Sequence, residues 1–450
     1  MRAIRDEVPP MLQLALPLVF AELGWMTMGI VDTMMVGHLP NSAIALSAAA
    51  LGQVLYNTLG FGIGGVLLGL DTYIAQAFGA KRIDEANRWL VHGLVLAGGL
   101  MIVLMGAVAL CPLLLMSLPV DRTVLAGAVP FLNALNWGTP ALLIYFALRR
   151  YLQAFNHVRP IAFALISANL INAAGDWLLI YGHHFGRITI PAYGVVGSGW
   201  STTFARCYMA LVMFIALWMA ERREGYGLLE TSLKIEWPKV RQLALLGLPV
   251  GGQILVEISI FAAATAVIAV LGTLPLAGHQ IALDCASFTF MVPFAISTAT
   301  AVRVGQAIGR RSPEGAAAAG WTGIILGAGF MLTASCVLIA VPHAIARSFS
   351  PDAMVIAAAV PLLYVAAAFQ FFDGVQITAT GALRGTGNTH AGLIVHAIGY
   401  WCIGMPVGVA LAFRLHMGAV GLWLGLCVAL IVAGSALVTV WARTVRRMMA

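Results

Sequence analysis

Seven acidic side chains lie within or close to long apolar segments, where a charged group costs roughly 2.5 to 3.5 kcal/mol near the centre of a membrane-spanning helix. They are Glu22, Asp32, Asp71, Asp176, Glu257, Asp284 and Asp373. The same segments contain no lysine, and Arg206 is the only arginine that we place clearly inside one. Internal ion pairs therefore cannot neutralise the set, and most of these acids must be protonated, face water or meet an imported cation. Burial disfavours the charged form of a carboxyl group, so such groups can exchange protons for metal or organic cations.

Four oxygen-bearing side chains of the first half form one candidate site. Asn172 and Asp176 are four residues apart and share a helix face. Thr202, in the next apolar segment, adds a hydroxyl, and together with Asp32 these oxygens suit Na⁺ or a shared proton. We predict a cation or proton coupling site from these residues, with Asp32, Asn172 and Asp176 as Na⁺ ligands. The alternatives are an interhelical hydrogen bond for Asn172 and a capping or interface role for Asp32.

Glutamines accompany the acids of the second half at helical spacing. The pairings are Gln253 with Glu257, Gln280 with Asp284, and Gln370 and Gln376 with Asp373. Polar stripes on apolar helices face a cavity more often than lipid, which would leave their hydrogen bonds unmade. We predict a second cation or substrate cavity from Glu257, Gln280, Asp284 and Asp373. For Gln280 and Asp284, a purely interhelical hydrogen bond is an equal alternative.

The composition identifies the elements that must position these residues. Of 450 residues, 61% are hydrophobic and 10% are charged, against roughly 25% charged in an average soluble domain. Uncharged stretches that exceed the about 20 residues of a membrane span are 89–120, 123–148, 315–346, 385–413 and 415–442. Further apolar segments begin near residues 11, 45, 160, 194, 243, 277 and 354. We predict an all-α, multi-pass membrane protein with twelve transmembrane helices.

The distribution of Lys and Arg gives the topology. With a cytoplasmic N-terminus, 20 of the 25 basic residues fall in cytoplasmic connections and Arg206 falls in a span. The outer connections hold Arg122, Arg187, Arg347 and Arg414. Because cytoplasmic loops carry the positive charge of membrane proteins, both termini are predicted to be cytoplasmic. The net charge of +7 then reflects topology and contact with anionic lipid rather than binding of nucleic acid.

An internal repeat divides the chain. "LALPLVF" at Leu14 matches "LGLPVGG" at Leu246, and "AQAFGAK" at Ala75 matches "GQAIGRR" at Gly305. Six spans separate the copies, so both have the same orientation, which is typical of transporters with two parallel halves. We predict a six-helix lobe at 1–220, a cytoplasmic linker at 221–242 and a second six-helix lobe at 243–450. The halves differ chemically, since Ala264 stands at the repeat position of Asp32.

Motifs for several other functions are missing from the sequence. There is no G-x-x-x-x-G-K-[ST] nucleotide loop, no H-E-x-x-H metal motif and no G-x-S-x-G nucleophile elbow. The six cysteines show no C-x-x-C spacing that would indicate a zinc site. We therefore expect no enzyme, no ATP-driven pump and no cofactor. A channel is disfavoured by the repeat.

Several stretches resemble the multidrug and toxic compound extrusion (MATE) family. They are "VDTMMVGHL", "GLDTYIAQAFGA", "INAAGDWLLIYG", "LPVGGQILVEI", "AGHQIALD", "MVPFAISTATAVRVGQAIG", "FFDGVQITATGALRGTGNT" and "YWCIGMPVG". The resemblance covers nearly the whole chain, and its NorM-like branch is the most similar. Asp32 matches the essential aspartate of the first span, and Asn172, Asp176 and Thr202 match the ion site of the first lobe. Glu257 and Asp373 match the acids of the second lobe.

This resemblance implies antiport of organic cations and drugs out of the cell against inward Na⁺ or H⁺. Asp176 stands where close NorM-like members often have Asn, so the coupling ion is left open between Na⁺ and H⁺. We expect a monomer in a bacterial inner membrane, with small cationic or aromatic drug-like substrates, membrane lipids as its surroundings and no nucleic-acid partner. The alternative is a flippase for a lipid-linked precursor of the same superfamily. Such a flippase is expected to use cavity arginines, for which Arg206 is the only embedded candidate.

Overall fold

The computed structural model describes residues 2–117, 121–185 and 188–450, so the predicted external Arg187 lies outside the described residues. Nearly all of this chain is helical. The α-helices are α1 (Arg2–Val36), α2 (Ser42–Gly64), α3 (Gly69–Gly79), α4 (Ile83–Ser117), α5 (Arg122–Trp137), α6 (Thr139–Ala154), α7 (Arg159–Tyr181), α8 (Val195–Glu224), α9 (Trp237–Val270), α10 (Thr273–Gly309), α11 (Pro313–Ala340), α12 (Pro342–Phe349), α13 (Ala353–Thr386), α14 (His390–His396), α15 (Met405–Val409) and α16 (Gly418–Met449). Two short strands, β1 (His183–Phe185) and β2 (Ile188–Ile190), pair antiparallel between α7 and α8.

Irregular helical turns join some of these helices into longer rods. A 3₁₀ turn at Gly65–Leu68 joins α2 to α3, and a second 3₁₀ turn lies at Leu228–Glu230. Wide π-helical segments at Ala397–Gly404 and Ala410–Arg414 flank α15. Since π-turns often occur at functional sites, the segment that begins directly after His396 is relevant to the chemistry described below.

The predicted number of spans is confirmed. Within the described ranges, eleven helical rods are long and apolar enough to cross a membrane, and α5 with α6 supplies the twelfth as a pair bent by 44°. The bend falls at Gly138, and Pro140 follows in the first turn of α6. Proline lacks a backbone N–H and cannot continue the hydrogen-bond ladder of α5, which accounts for the break. The protein is therefore the predicted all-α, multi-pass membrane protein.

The chain packs into two compact units with interleaved bounds. The amino-terminal unit contains residues 20–78 and 82–251, and the carboxyl-terminal unit contains residues 1–19, 79–81 and 252–450. These bounds differ from the predicted 1–220 and 243–450, because α1 contributes to both units and so does α9.

In the carboxyl-terminal unit, Arg303 binds Glu7 through Nε to Oε1 at 2.5 Å and Nη2 to Oε2 at 2.9 Å. In the amino-terminal unit, a Cβ on Gly247 would lie 1.9 Å from the carbonyl oxygen of Val66, so only glycine allows this approach.

Each unit has its own apolar core. Tyr56, Leu104 and Phe131 belong to the core of the amino-terminal unit. In the carboxyl-terminal unit, Ala264 and Trp423 are fully buried in a larger cluster. The position that repeats Asp32 is thus an apolar packing position, which accounts for the chemical difference between the halves of the repeat.

The connection after α8 is anchored to the amino-terminal unit by polar contacts. Asn87 donates from Nδ2 to the carbonyl oxygen of Tyr226 at 2.9 Å and accepts from the Tyr151 hydroxyl at 2.6 Å. His157 Nε2 lies 3.0 Å from the Tyr226 hydroxyl. The backbone N–H of Glu236 donates to His92 Nε2 at 3.0 Å. The connection is therefore held to this unit at Tyr226 and at Glu236.

We expect this attachment to weaken as the pH falls. Burial lowers the pKa of His157 from its ordinary value of about 6.5. A histidine with a lowered folded pKa adds stability above its unfolded pKa, and this stability is lost as the pH falls below about 6.5 towards the folded value. Tryptic cleavage at Arg222, Arg223 and Lys234 should then accelerate in the wild type relative to His157→Gln by up to about tenfold per pH unit.

The cleavage rates of the two proteins are measured side by side at each pH between 7.5 and 5.5. Their ratio is independent of the pH dependence of trypsin itself. A wild-type to His157→Gln ratio that stays constant over this range would exclude His157 as the titrating group.

Candidate functional site

The first candidate site lies in the amino-terminal unit, where α1, α7 and α8 meet. Asp32 comes from the last turns of α1, Asn172 and Asp176 from α7, and Thr202 from α8. Asn172 and Asp176 are fully buried, and Asp32 and Thr202 are 8% and 5% exposed. The structure brings all four predicted residues together. Asn172 and Asp176 lie on one face of α7, as their i, i+4 spacing predicts.

Direct contacts join these side chains. The Thr202 hydroxyl donates to Asp32 Oδ2 at 3.2 Å, and the amide of Asn172 and the carboxyl group of Asp176 are within hydrogen-bonding reach of Asp32. Two carboxylates in contact repel each other unless a proton or a cation lies between them. The pair of Asp32 and Asp176 therefore requires a bound proton or cation.

Several oxygens in this cluster face one another without a donor. Oδ1 of Asp32, Oδ1 of Asn172 and both carboxyl oxygens of Asp176 are buried and accept no hydrogen bond. Ser201 lies beside Asp176, but its hydroxyl donates to the backbone oxygen of Asn172 at 2.6 Å. Unpaired buried acceptors are costly. Their convergence is the geometry expected of a site for a hard cation or a shared proton.

Glycines of α7 and α8 allow the close packing that builds the cluster. A Cβ on Gly175 would lie 2.7 Å from Ser201 Oγ, and one on Gly197 would lie 2.5 Å from the carbonyl oxygen of Leu179. Because both contacts are closer than a methyl group permits, larger residues would separate the two helices. The small residues beside Asp176 therefore keep its carboxyl group against α8.

Arg206 lies one turn after Thr202 but does not form an ion pair with the acids. Its Nη1 donates to the carbonyl oxygen of Leu135 at 3.1 Å, and its guanidinium lies 4.4 Å from the centroid of the Tyr56 ring. A charge held by a carbonyl and an aromatic face leaves the carboxyl oxygens of Asp32 and Asp176 accessible to another cation.

A narrow crevice in the same unit has room for about one water molecule. Its lining consists of Trp25, Tyr56, Asn57, Gly60, Phe61, Leu142, Phe146 and Arg206. The rings of Phe61 and Phe146 each lie 6.2 Å from Trp25, centroid to centroid. The crevice is too small for an aromatic ligand, and the rings that line it pack against one another and against Arg206.

The second candidate site lies in the carboxyl-terminal unit, between α9 and α13. Gln376 donates from Nε2 to Asp373 Oδ1 at 3.1 Å and to Glu257 Oε1 at 3.4 Å. The Tyr400 hydroxyl is buried without a hydrogen-bond partner and lies close enough to both acids to interact with them electrostatically. Two of the predicted acids, Glu257 and Asp373, are thus brought together by one amide group.

Gln280 and Asp284 are not joined to this group by a hydrogen bond within the described part of the chain. Gln280 donates from Nε2 to Asp284 Oδ1 at 2.9 Å, and this contact stays within one turn of α10. Gln280 is exposed and Asp284 is half-buried. Their membership of the second cavity stays a prediction.

The prediction that Arg206 is the only embedded arginine was wrong. Arg149 and Arg150 of α6 are 3% and 4% exposed. Arg149 pairs with Glu22, and Arg150 Nη1 lies 3.4 Å from Asp71 Oδ2. Both arginines were assigned to a cytoplasmic loop because charges lower the local hydropathy. The signal that sequence reasoning missed was the pair of consecutive arginines together with two acids of unassigned role, Glu22 and Asp71. The other five of the seven acids have no arginine partner among the described ion pairs.

The donor atoms of the two sites indicate the class of ion. The described part of the chain contains no group of three or more His, Cys, Asp or Glu side chains able to hold a metal ion. Each site instead combines two carboxyl groups with amide and hydroxyl oxygens. Such oxygen donors suit Na⁺, protons or organic cations rather than zinc or copper, which prefer nitrogen and sulfur.

Comparison with known proteins identifies relatives over the whole chain. A family model described as MatE matches residues 17–178 and again residues 249–410. The two matches begin at the same 232-residue offset that separates Leu14 from Leu246, which confirms the internal repeat. The chain is 34% identical to a probable multidrug resistance protein NorM of Mesorhizobium japonicum, covering 98% of this chain and 94% of the relative. It is also 34% identical to the multidrug resistance protein PmpM of Pseudomonas aeruginosa, covering 99% and 93%.

Solved structures have the same fold at lower sequence identity. One is described as the outward-facing conformation of a multidrug resistance MATE family transporter of the MOP superfamily, with a TM-score of 0.89, 18% identity and coverage of 100% of this chain and 98% of that chain. Another is the eukaryotic MATE transporter AtDTX14, with a TM-score of 0.87, 20% identity and coverage of 99% of each chain. The described helices therefore follow a known transporter architecture.

Proposed function

Because the chain belongs to the MatE family, we propose that it is a multidrug efflux transporter that couples export of organic cations to inward movement of Na⁺ or H⁺. The relatives named NorM and PmpM are multidrug resistance proteins. The chain is a transporter rather than an enzyme, and it is a multi-pass protein of a bacterial inner membrane. We further propose that it works as a monomer on small aromatic or cationic drugs.

The pair of Asp32 and Asp176 is the observation that carries the coupling proposal. Oδ1 of Asp32 and both carboxyl oxygens of Asp176 are buried without a donor, and Arg206 is held by Leu135 and Tyr56. A proton or Na⁺ entering from outside can bind between the carboxyl groups, with Asn172 and Thr202 as further oxygen ligands. Energy from the ion gradient then enters transport at this site.

Glu257 and Asp373 supply the charge that recognises the organic cation. The Gln376 amide holds their carboxyl groups together. A ligand changes a conformational equilibrium only by its different affinities for the two states. We propose that ion and drug favour opposite states, so that binding of one promotes release of the other.

Dye efflux from proteoliposomes tests this proposal. Vesicles loaded with ethidium receive either a Na⁺ gradient or a pH gradient, and we expect at least one of them to drive export. Glu257→Gln and Asp373→Asn should each lower the initial rate by about tenfold, since each removes a charge interaction worth about one pKa unit or more. Glu314→Gln and Asp84→Asn, which change exposed acids at helix starts, serve as matched controls.

Export that needs neither gradient would contradict antiport. Movement of a lipid-linked anion together with no movement of ethidium would favour the flippase instead.

A further inference from the structure

His396 ends α14 and is fully buried. Its Nδ1 lies 2.6 Å from the carbonyl oxygen of Gly392, and its Nε2 lies 2.5 Å from Gln376 Oε1. Carbonyl and amide oxygens only accept hydrogen bonds, so both ring nitrogens must donate in this arrangement. A histidine that donates from both nitrogens is a positively charged imidazolium.

The other end of the same amide faces the acids. Gln376 Nε2 is a donor and reaches Asp373 at 3.1 Å and Glu257 at 3.4 Å, and ionised carboxylates accept such bonds. This orientation of the Gln376 amide is therefore the one expected when Glu257 and Asp373 are ionised and His396 is positively charged. A half-turn of the amide exchanges its ends: Oε1 then accepts from a protonated carboxyl group, and Nε2 donates to a neutral imidazole.

We propose that Gln376 and His396 form a proton relay for the Glu257–Asp373 pair: a carboxyl O–H bond breaks and an N–H bond forms at Nε2 of His396, while the Gln376 amide turns, keeps its own protons and couples the two charges. One proton occupies either a carboxyl oxygen of the pair or Nε2 of His396, and the total number of protons is the same in both states. A further ionisable group at this site is Tyr400, whose ring lies 5.5 Å from that of His396, centroid to centroid.

The relay rests on the proposed function and gives it a further consequence. When an organic cation binds to the ionised pair, the displaced proton is retained on His396 instead of being released to solvent. Without the cation the proton is shared between His396 and the carboxyl groups, and the amide orientation in the structure has it on His396. His396 thereby acts as a positioning and storage residue for the proton, and it need not contact the drug.

His279 provides a matched control in the same unit. It is also fully buried, but its Nδ1 accepts from Trp423 Nε1 at 2.9 Å and its Nε2 lies 2.8 Å from the Thr265 hydroxyl. The Thr265 hydroxyl itself donates to the carbonyl oxygen of Phe261, so Nε2 of His279 is the donor. One accepting and one donating nitrogen describe a neutral ring, and His279 is expected to stay neutral at every working pH.

Nitrogen NMR of the full-length protein, labelled with ¹⁵N-histidine in lipid bilayers, tests the relay directly. We expect an imidazolium signal at pH 7.5 that is absent from His396→Gln and retained in His279→Gln. In Glu257→Gln/Asp373→Asn, which has no carboxylates to balance the charge, the same signal should move to the neutral position. A His396 ring that is neutral in the wild type from pH 6 to 8, or equally charged with and without the acids, would overturn the relay.

Binding of tetraphenylphosphonium provides a second readout, which does not depend on the NMR assignment. In the wild type and in His279→Gln, the displaced proton stays on the protein, so the dissociation constant should change by less than about threefold per pH unit. In His396→Gln the proton must leave, and the change should approach about tenfold per pH unit. Equal slopes in all three proteins would overturn the relay. A wild type that binds no tetraphenylphosphonium would contradict the proposed function, and the NMR comparison would then decide the relay.

Discussion

Asp32→Asn is expected to abolish ion-driven export of an organic cation, with the initial rate falling to the level of empty vesicles. The substitution keeps the shape of the side chain and its contact with Thr202 but removes the charge that faces Asp176. With a single carboxyl group left, the cluster loses the requirement for a bridging proton or cation. The rate of ethidium efflux under imposed Na⁺ and pH gradients measures the loss.

Two further variants make this result interpretable. Asp84→Asn changes an exposed aspartate in the first turn of α4 and should export at the wild-type rate. Asp176→Asn leaves Asp32 with an amide neighbour and should export with an altered preference between the Na⁺ and pH gradients. Wild-type export by Asp32→Asn under either gradient would sink the assignment of Asp32 as the coupling residue.

Arg149→Met is expected to cause the largest loss of stability, about 3 to 5 kcal/mol, because it leaves Glu22 buried without its partner. The side chains of Arg149 and Glu22 are 3% and 11% exposed, so little water is available to compensate. The double variant Glu22→Gln/Arg149→Met should recover most of the loss, since neutral groups of similar size carry no uncompensated charge. Thermal unfolding in detergent, followed by circular dichroism, measures these differences.

The control for the ion pair is Arg82→Met. Arg82 Nη1 contacts Glu85 Oε2 at 2.7 Å, but the two side chains are 64% and 37% exposed. Water screens such a pair, so its removal should change the free energy of unfolding by no more than about 1 kcal/mol. If Arg149→Met and Arg82→Met destabilised the protein equally, the buried pair would have no special structural role.

The spans could be predicted because hydrocarbon imposes a simple rule on each segment. A helix that crosses the membrane must be mainly apolar over about 20 consecutive residues. This property can be recognised in one segment without knowledge of the helices that pack against it. The twelve spans and the repeat followed from local composition and from matching copies. The bounds of the packed units did not, because residues 1–19 join the carboxyl-terminal unit through contacts with distant residues, such as the ion pair of Glu7 with Arg303.

The first candidate site was accessible to sequence reasoning in part. Asn172 and Asp176 share a helix face by spacing alone, whereas their contact with Asp32 and Thr202 depends on the small residues that bring α7 against α8. The sequence also offered no means of separating the acids that form ion pairs from those that do not. Neither the unassigned Glu22 nor Asp71, which we predicted to lie at a span boundary, could be paired with an arginine until the positions of Arg149 and Arg150 were known.

By itself, the sequence determined that this protein is a twelve-span, all-α membrane protein with a parallel repeat and a surplus of intramembrane acids, since these properties depend on residue type and order. Only the tertiary structure decided which acids remain available to a cation. Arg149 and Arg150 pair with Glu22 and Asp71. Oδ1 of Asp32 and both carboxyl oxygens of Asp176 have no donor, and Gln376 connects Glu257 and Asp373 to His396. The physical reason is that electrostatic pairing and hydrogen bonding act over a few ångströms between residues that are far apart in the chain.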